Sequence, residues 1–302
     1  MIINRRQFLK STGAAIGGLA AGPALSNIAL GSLQINVVSD GHLILPGSFI
    51  LGPMPQDKIA PVLSQYAINP ERLEPECNLT LMRDGANTVL FDVGSGPDFA
   101  PTAGQLEGSL DALGVSVEDI THVVFTHGHP DHLWGLLDDF DDPKFPNAAY
   151  MMGETELDYW RDPDTVDTIG EARAAFAVGA ARRLEAIDDQ LVAIKPDTEI
   201  LAGVMAHASF GHTPGHLAFE IRGGGESVMV VGDAIGNHHV GFALPSLHSG
   251  SDQIADQAAA TRTRLLDQMS QDKMQLIGFH LPGGLGRVER TGDAYAFVPE
   301  GV

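Results

Sequence analysis

Thr126-His127-Gly128-His129-Pro130-Asp131-His132 places four side chains able to bind a metal ion, His127, His129, Asp131 and His132, within six residues. Val123-Val124-Phe125 leads into it, short, apolar and β-branched, and reads as a buried strand that delivers polar residues at its exit. A loop containing Gly128 and Pro130 can fold several side chains toward one point, whereas a helix brings only positions i, i+3 and i+4 together. Imidazole suits zinc and other first-row ions, and a carboxylate adds charge. The plain alternative is a polar loop of solvated histidines, and the rest of the chain decides between the two.

Three later stretches share the same logic. Ser209-Phe210-Gly211-His212-Thr213-Pro214-Gly215-His216 sets His212 in a tight turn after a strand. Val228-Met229-Val230-Val231-Gly232-Asp233 runs a buried strand into an aspartate, and Gln275-Leu276-Ile277-Gly278-Phe279-His280 runs another into a histidine. Buried strands rarely end in a carboxylate or imidazole that has no partner. Each alone reads equally well as a capping Asp233 or an ordinary loop histidine; the four together are a ligand set.

His-x-His-x-Asp-His at 127, 129, 131 and 132, followed in order by His212, Asp233 and His280, resembles the metallo-β-lactamase superfamily over residues 33–302. The resemblance implies an α/β (α+β) fold, a four-layer αβ/βα sandwich with a dinuclear metal site at the sheet edge. It implies two divalent metal ions, with zinc expected. His127, His129 and His212 would hold the first, Asp131, His132 and His280 the second, and Asp233 would bridge them. The implied activity is that of a metal-dependent hydrolase, in which a hydroxide shared by the ions attacks neutral esters, lactones or phosphotriesters. Asp131 is the catalytic candidate, a ligand that also orients the hydroxide or takes its proton.

Departures narrow the group. Common zinc β-lactamases carry cysteine where Asp233 stands. Diiron flavoproteins have glutamate at the position of His129 and an added flavin domain, and glyoxalase II enzymes end in helices where this chain reads as a β-hairpin. Phe145-Pro146-Asn147-Ala148, Glu156-Leu157-Asp158-Tyr159-Trp160, Thr261-Arg262 and His280-Leu281-Pro282 resemble the methyl parathion hydrolase-like group. The neighbouring N-acyl homoserine lactonases carry a tyrosine three residues after the bridging aspartate; here Gly236 stands there. His238 or His239 would have to supply that donor; the expected alternative for them is a surface position or support of a ligand. The alternatives to the hydrolase are that lactonase chemistry, an iron-dependent sulfur dioxygenase and a non-catalytic metal-binding protein. Trp134, Phe210, Phe242 and Phe279 flank the ligand segments and either line an apolar pocket or, as expected for any one of them, pack in the core, with Trp134 placed to narrow the pocket.

Composition sets the frame. The chain has 302 residues, 44% of them hydrophobic, enough to bury a large core. Only 6% are aromatic, while 35 glycines and 18 prolines suit many short elements joined by tight turns. The net charge of −21 repels nucleic acid and anionic membrane, which excludes both as partners. The substrate is expected to be a small neutral molecule. The single cysteine, Cys77, has no partner for an internal disulfide and reads as a small buried apolar residue.

Residues 1–26 read as a twin-arginine-type export signal: Arg5-Arg6-Gln7-Phe8-Leu9 precedes a weakly apolar run at 13–25, too short to be a stable membrane anchor. The partner this implies is the twin-arginine translocation machinery, and the destination is the periplasm. A homodimer is expected from analogy alone. The remaining 33–302 form one domain. Strands are expected at 33–38, 42–45, 77–82, 88–91, 123–125, 191–194, 205–210, 216–221, 228–231 and 275–277, with a hairpin over 285–298. A turn is expected at 39–41 and a loop at 46–55. Helices are expected at 56–66, 106–113, from Leu133 through Leu137, at 153–160, 167–189 and 254–270. Strands then helix, twice, suggests two related halves.

Overall fold

Leu90 and Phe91 are neighbours in one strand, both fully buried, yet they lie in different hydrophobic cores. Val123 and Val124 divide in the same way, as do Met229 and Val230. Strands with apolar residues on both faces must be covered on both faces, and this sets the architecture.

The computed structural model describes residues 26–300. Its first sheet joins β1 (Asn27–Leu30) and β2 (Leu33–His42); a short pair, β3 (Leu45–Pro46) with β4 (Arg72–Leu73), stands apart. The sheet continues through β5 (Glu76–Arg83), β6 (Thr88–Phe91), β7 (His122–Val124), β8 (Ala149–Gly153) and β9 (Leu191–Ile194). The second sheet runs in chain order through β10 (Glu199–Leu201), β11 (Val204–Ala208), β12 (Leu217–Gly223), β13 (Glu226–Gly232), β14 (Gln275–Gly278), β15 (Leu285–Thr291) and β16 (Ala294–Pro299). Phe91, Val124, Phe219, Val230 and Ile277 interleave between the sheets, with the Phe91 and Phe219 rings 5.4 Å apart. Helices Leu106–Ala112, Glu154–Arg161 and Ala174–Ala186 cover the outer face of the first sheet. Helix Ala255–Asp272 covers that of the second through Leu265, Leu266 and Met269. The result is the four-layer αβ/βα sandwich.

Several local expectations are corrected. The turn at 39–41 is a bulge inside the ten-residue strand β2. The 46–55 loop contains a helical turn, Gly47–Leu51. The helix expected from Leu133 is one turn, Pro130–Leu133, followed by a 3-10 turn, Trp134–Leu136, because the loop turns back to seat Gly135 N–H on Gly94 O. The helix over 167–189 is broken at Gly170, whose φ of 95° is left-handed, and resumes at Ala174–Ala186. β8 was hidden in the sequence because Ala149-Tyr150-Met151-Met152 lacks β-branched residues. Among the described residues one strand, β1, precedes Leu33. The twin-arginine-type segment lies outside the described residues apart from Ser26.

Parallel pairing decides where chemistry can sit. β6, β7, β8 and β9 are successively parallel in one sheet, and β13 is parallel to β14 in the other. Their carboxyl ends therefore open along one edge, where loops can converge.

Phe219→Ala should destabilise the protein by about 3–5 kcal/mol in urea unfolding, by removing a ring from the layer between the sheets. Val192→Ala, on the half-exposed strand β9, should cost less than about 1 kcal/mol in the same measurement.

Candidate metal centre

The loops that follow these carboxyl ends carry the polar residues. Asp92 follows β6, His127–His132 follow β7, Asp233 follows β13, and His280 follows β14 after one intervening residue, Phe279. His212 comes from the turn before β12, an antiparallel neighbour whose amino end lies at the same edge. All seven expected ligands are brought together in two groups: His127, His129 and His212, and then Asp131, His132, Asp233 and His280. In each group one atom per residue lies within 4.8 Å of the others.

In the first group His129 Nδ1 lies 3.0 Å from His127 Nε2 and 2.9 Å from His212 Nε2. In the second, His280 Nε2 lies 3.1 Å from Asp131 Oδ2, and His132 Nε2 lies 3.6 Å from the same atom. Asp233 joins the groups: Oδ2 is 3.4 Å from both His212 Nε2 and His280 Nε2, and Oδ1 is 3.4 Å from His132 Nε2. His132 Nε2 and Asp233 Oδ1 are buried and make no hydrogen bond. Orphaned buried atoms are costly, and nitrogen lone pairs facing one another repel; a divalent ion within each group relieves both. Three imidazole nitrogens in one group, and two imidazoles with two carboxylates in the other, suit an ion of the zinc class.

Which ring nitrogen faces inward is decided by what the other one does. Asp92, buried at a left-handed φ of 63°, accepts Thr126 N–H on Oδ1, and Thr126 Oγ1–H and His132 Nδ1–H on Oδ2, each at 2.8 Å. With its proton committed to Asp92, Thr126 Oγ1 accepts from His127 Nδ1–H at 3.0 Å. His212 Nδ1–H donates to Asp252 at 3.1 Å, and Arg262 holds Asp252 by two N–H groups at 3.2 and 3.3 Å. His280 Nδ1–H donates to Glu76 O at 2.7 Å. These four rings therefore present Nε2, while His129 presents Nδ1 and sets its Nε2 against the Gln253 amide at 3.1 Å. His216 joins no group. Its Nε2 accepts Asp233 N–H at 3.0 Å and its Nδ1–H donates to Ser209 Oγ at 2.7 Å, so it steadies the bridging aspartate from behind.

Glu156 ties the two ligand loops together. Fully buried, it accepts Gly128 N–H at 2.9 Å and Trp160 Nε1–H at 2.6 Å on one oxygen, and Thr213 Oγ1–H at 2.7 Å and Gly215 N–H at 2.9 Å on the other. The approach is close enough to demand glycine at both backbones: a Cβ on Gly128 would lie 2.4 Å from Trp160 Nε1, and one on Gly215 would lie 2.1 Å from Glu156 N.

Sequence reasoning missed these supporting residues, although two left a trace. Asp92 ends a buried strand just as Asp233 does. Glu156 lies with Leu157 and Trp160 on the buried face of helix Glu154–Arg161, where a carboxylate needs donors. Asp252, in the polar run Ser249-Gly250-Ser251-Asp252, left none.

Electrostatics differ between the two groups. Burial and then the neighbouring imidazoles hold His127 and His129 well below the ordinary histidine range, so both are neutral and ready to ligate. Burial also acts on His132, but Asp233, Asp131 and Asp92 outweigh it and raise the ring to about 10. Asp233 and Asp131 likewise outweigh burial and raise His280 well above the ordinary range.

The centre opens into a cavity of about 610 Å³, with His129, Asp131, His212, Asp233 and His280 in its wall. Leu45, Phe49, Ile50, Ile68, Leu73, Phe99 and Phe176 give it an apolar lining. Neither Trp134, Phe210, Phe242 nor Phe279 lines it. Phe242 and Phe279 are core residues, Phe279 lying 3.8 Å from the His132 ring, and Trp134 packs between Phe99 and Arg183 instead of narrowing the cavity. His238 and His239 do reach the wall, and Tyr66 packs against His239 at 4.6 Å. Cys77 is buried, as expected, and burial pushes its thiol up to about 12.

A family model described as the metallo-beta-lactamase superfamily matches residues 74–292. Among solved structures, AidC, a dizinc quorum-quenching lactonase solved with a homoserine product, superposes with a TM-score of 0.86 at 25% identity, covering 92% of this chain and 97% of its own. AbOPH, a hydrolase in the beta lactamase superfamily, superposes at 0.84 with 23% identity, covering 92% of this chain and 98% of its own, a likeness of fold. YobT of Bacillus subtilis (strain 168), itself uncharacterized, is 27% identical over 136 residues, 45% of this chain, and the match spans 54% of that protein's length.

Two outcomes follow from the geometry. Glu156→Gln turns an amide NH₂ toward donors. It should cost about 1–3 kcal/mol in urea unfolding and weaken zinc affinity at the His127–His129–His212 group by about 10- to 100-fold, read by metal titration. A divalent ion entering the second group must displace the protons that His132, at about 10, and His280 hold, whereas His127 and His129 have none to lose at neutral pH. Lowering the pH from about 8 to about 6 should therefore empty the second group first, read as zinc per chain against pH.

Proposed function

The chain belongs to the metallo-beta-lactamase superfamily and is a metal-dependent hydrolase, and from that premise we propose that it cleaves neutral lactones and esters carrying an apolar acyl chain, with two zinc ions as its metal complement. The observation that carries this reading is the pairing of two ligand groups, joined by Asp233, with a cavity whose lining beyond the ligands is largely apolar. An apolar wall favours an acyl chain, and the absence of a compensating cluster of basic residues there favours a neutral substrate. AidC, similar over nearly its whole length, is a dizinc lactonase, which supports the lactone within this class.

Two divalent ions held here supply a Lewis acid for the substrate's carbonyl oxygen and lower the pKa of water from about 15.7 to about 7. The chain does the rest. Asp131 lines the cavity and commits only Oδ2 to His132 and His280, which leaves Oδ1 to orient an attacking water or take its proton. Asp92, Asp252 and Glu76 fix the rings through hydrogen bonds at Nδ1, so the ligand geometry is set before substrate arrives. The apolar wall holds the acyl chain and keeps bulk solvent from the site, leaving the oriented water to attack. A mononuclear iron dioxygenase would not require Asp131 and His280 as ligands, and their convergence on Asp233 favours the hydrolase.

The test is a panel of N-acyl homoserine lactones, aryl esters, phosphotriesters and a β-lactam on zinc-loaded protein. Turnover should be greatest for N-acyl lactones and esters and absent for the β-lactam. Asp233→Ala should abolish activity while preserving the circular dichroism spectrum. Full activity in that variant, or a panel without lactone or ester turnover, would sink this reading.

A further inference from the structure

Arg173 is the charged residue in the cavity wall that its neighbours do not account for. Asp131 and Asp233 face His280 and His132, Arg72 pairs with Glu74 at 2.5 Å, and Glu76 accepts Gly283 N–H at 2.8 Å. Arg173 has no carboxylate partner among the described residues, although it is half-buried. It ends the 3-10 turn Glu171–Arg173 and leans over the Phe49 ring at 5.7 Å. One amino group, Nη2, donates to Gly250 O at 2.7 Å and Ser251 O at 3.1 Å. That fixes the guanidinium in place. Nε–H and the Nη1 amino group have no hydrogen-bond partner in the protein among the described residues.

A half-buried cation with no direct ion pair is costly to keep: burial lowers its pKa from the ordinary arginine value, and the field of Asp252, which makes no salt bridge with it, offsets only part of that. The ring of Phe49 offsets only part of that cost. Arg173 is also rigid, since its two carbonyl partners hold one end of the fork while the other end stays free. A planar donor fixed in an apolar wall is suited to one oxygen acceptor at a set distance from the reacting carbonyl.

We propose that Arg173 is a specificity-determining residue whose free N–H groups bind a second oxygen of the substrate, the carbonyl of its acyl amide, and so select N-acyl lactones over lactones without that group. This rests on the hydrolase reading and names its substrate class. The competing role is a strut: through Gly250 and Ser251, Arg173 also touches the loop that carries Asp252, the partner of His212. A strut would affect every substrate alike, and zinc binding with them. Arg262 already holds Asp252, so the strut is not required for that loop.

The test compares wild type with Arg173→Met, both zinc-loaded. The first readout is the ratio of kcat/KM for N-hexanoyl homoserine lactone to that for γ-butyrolactone. It should fall by about 10- to 100-fold, the size of a hydrogen bond from a charged donor, with the change carried by KM. The second readout needs no turnover: calorimetric binding of N-hexanoylglycinamide, which has the acyl amide and no lactone or ester, should weaken by a similar factor. An unchanged ratio, equal binding by both proteins, or no binding of this probe to wild type would overturn the proposal. So would a variant that loses zinc and falls equally on both lactones, which is the behaviour of a strut. If wild type cleaves neither lactone yet the probe still discriminates the two proteins, the hydrolase reading fails and Arg173 stands as an acyl-amide site.

Discussion

Asp233 is the constraint on which the rest of the structure depends. One carboxylate lies 3.4 Å from imidazole nitrogens of three different loops, His132, His212 and His280. Two of those loops leave the second sheet and one leaves the first, so both sheets must present their loop ends at one edge and remain there. The packing between the sheets, with Phe91 against Phe219, is what holds that edge in register. The backbone N–H of Asp233 is anchored in turn by His216. A shift of either sheet would break the sharing of Asp233 before it broke the fold.

The three imidazoles of the first group cannot position one another, because their inner nitrogen lone pairs repel. Position is imposed from outside, by acceptors at Nδ1: Thr126, Asp92, Asp252 and the Glu76 carbonyl. Glu156 does the same for the two loops of the first group, with three donors from those loops, Gly128, Thr213 and Gly215, and a fourth from Trp160 of its own helix on one carboxylate. Of these supports Thr126, Asp92, Asp252 and Glu156 are buried with their partners inside the protein, while Glu76 is exposed and acts through its backbone carbonyl. The cavity wall has the opposite character, apolar and open, with Arg173 left to meet a ligand.

Much of the fold was legible in the sequence because two-sided burial leaves a mark. Val228-Met229-Val230-Val231 is apolar on both faces, and such a run has to be an inner strand. Ala149-Tyr150-Met151-Met152 lacks β-branched residues and buries one face more deeply than the other, so it leaves a weaker mark. The segment after Pro130 misleads in the opposite sense: Leu133, Trp134, Leu136 and Leu137 have helical spacing, but tertiary packing on Gly94 and Phe99 takes them instead. Asp92 obeys the same rule as Asp233, a carboxylate at the end of a buried strand.

The sequence by itself determined which residues could be ligands and in what order, since His-x-His-x-Asp-His and three strand-end residues are local facts of chemistry and spacing. Tertiary structure alone decided how they divide. Asp233 and His212 are 21 positions apart and Asp252 lies 40 beyond His212, so no local pattern states that one bridges and another supports. The cavity is likewise a tertiary product. Phe49, Phe99 and Phe176 come from three separate segments and share a wall only because the layers stack. Arg173 is an ordinary surface arginine in the sequence, and that it pairs directly with no carboxylate among the described residues becomes visible only when its neighbours have been placed.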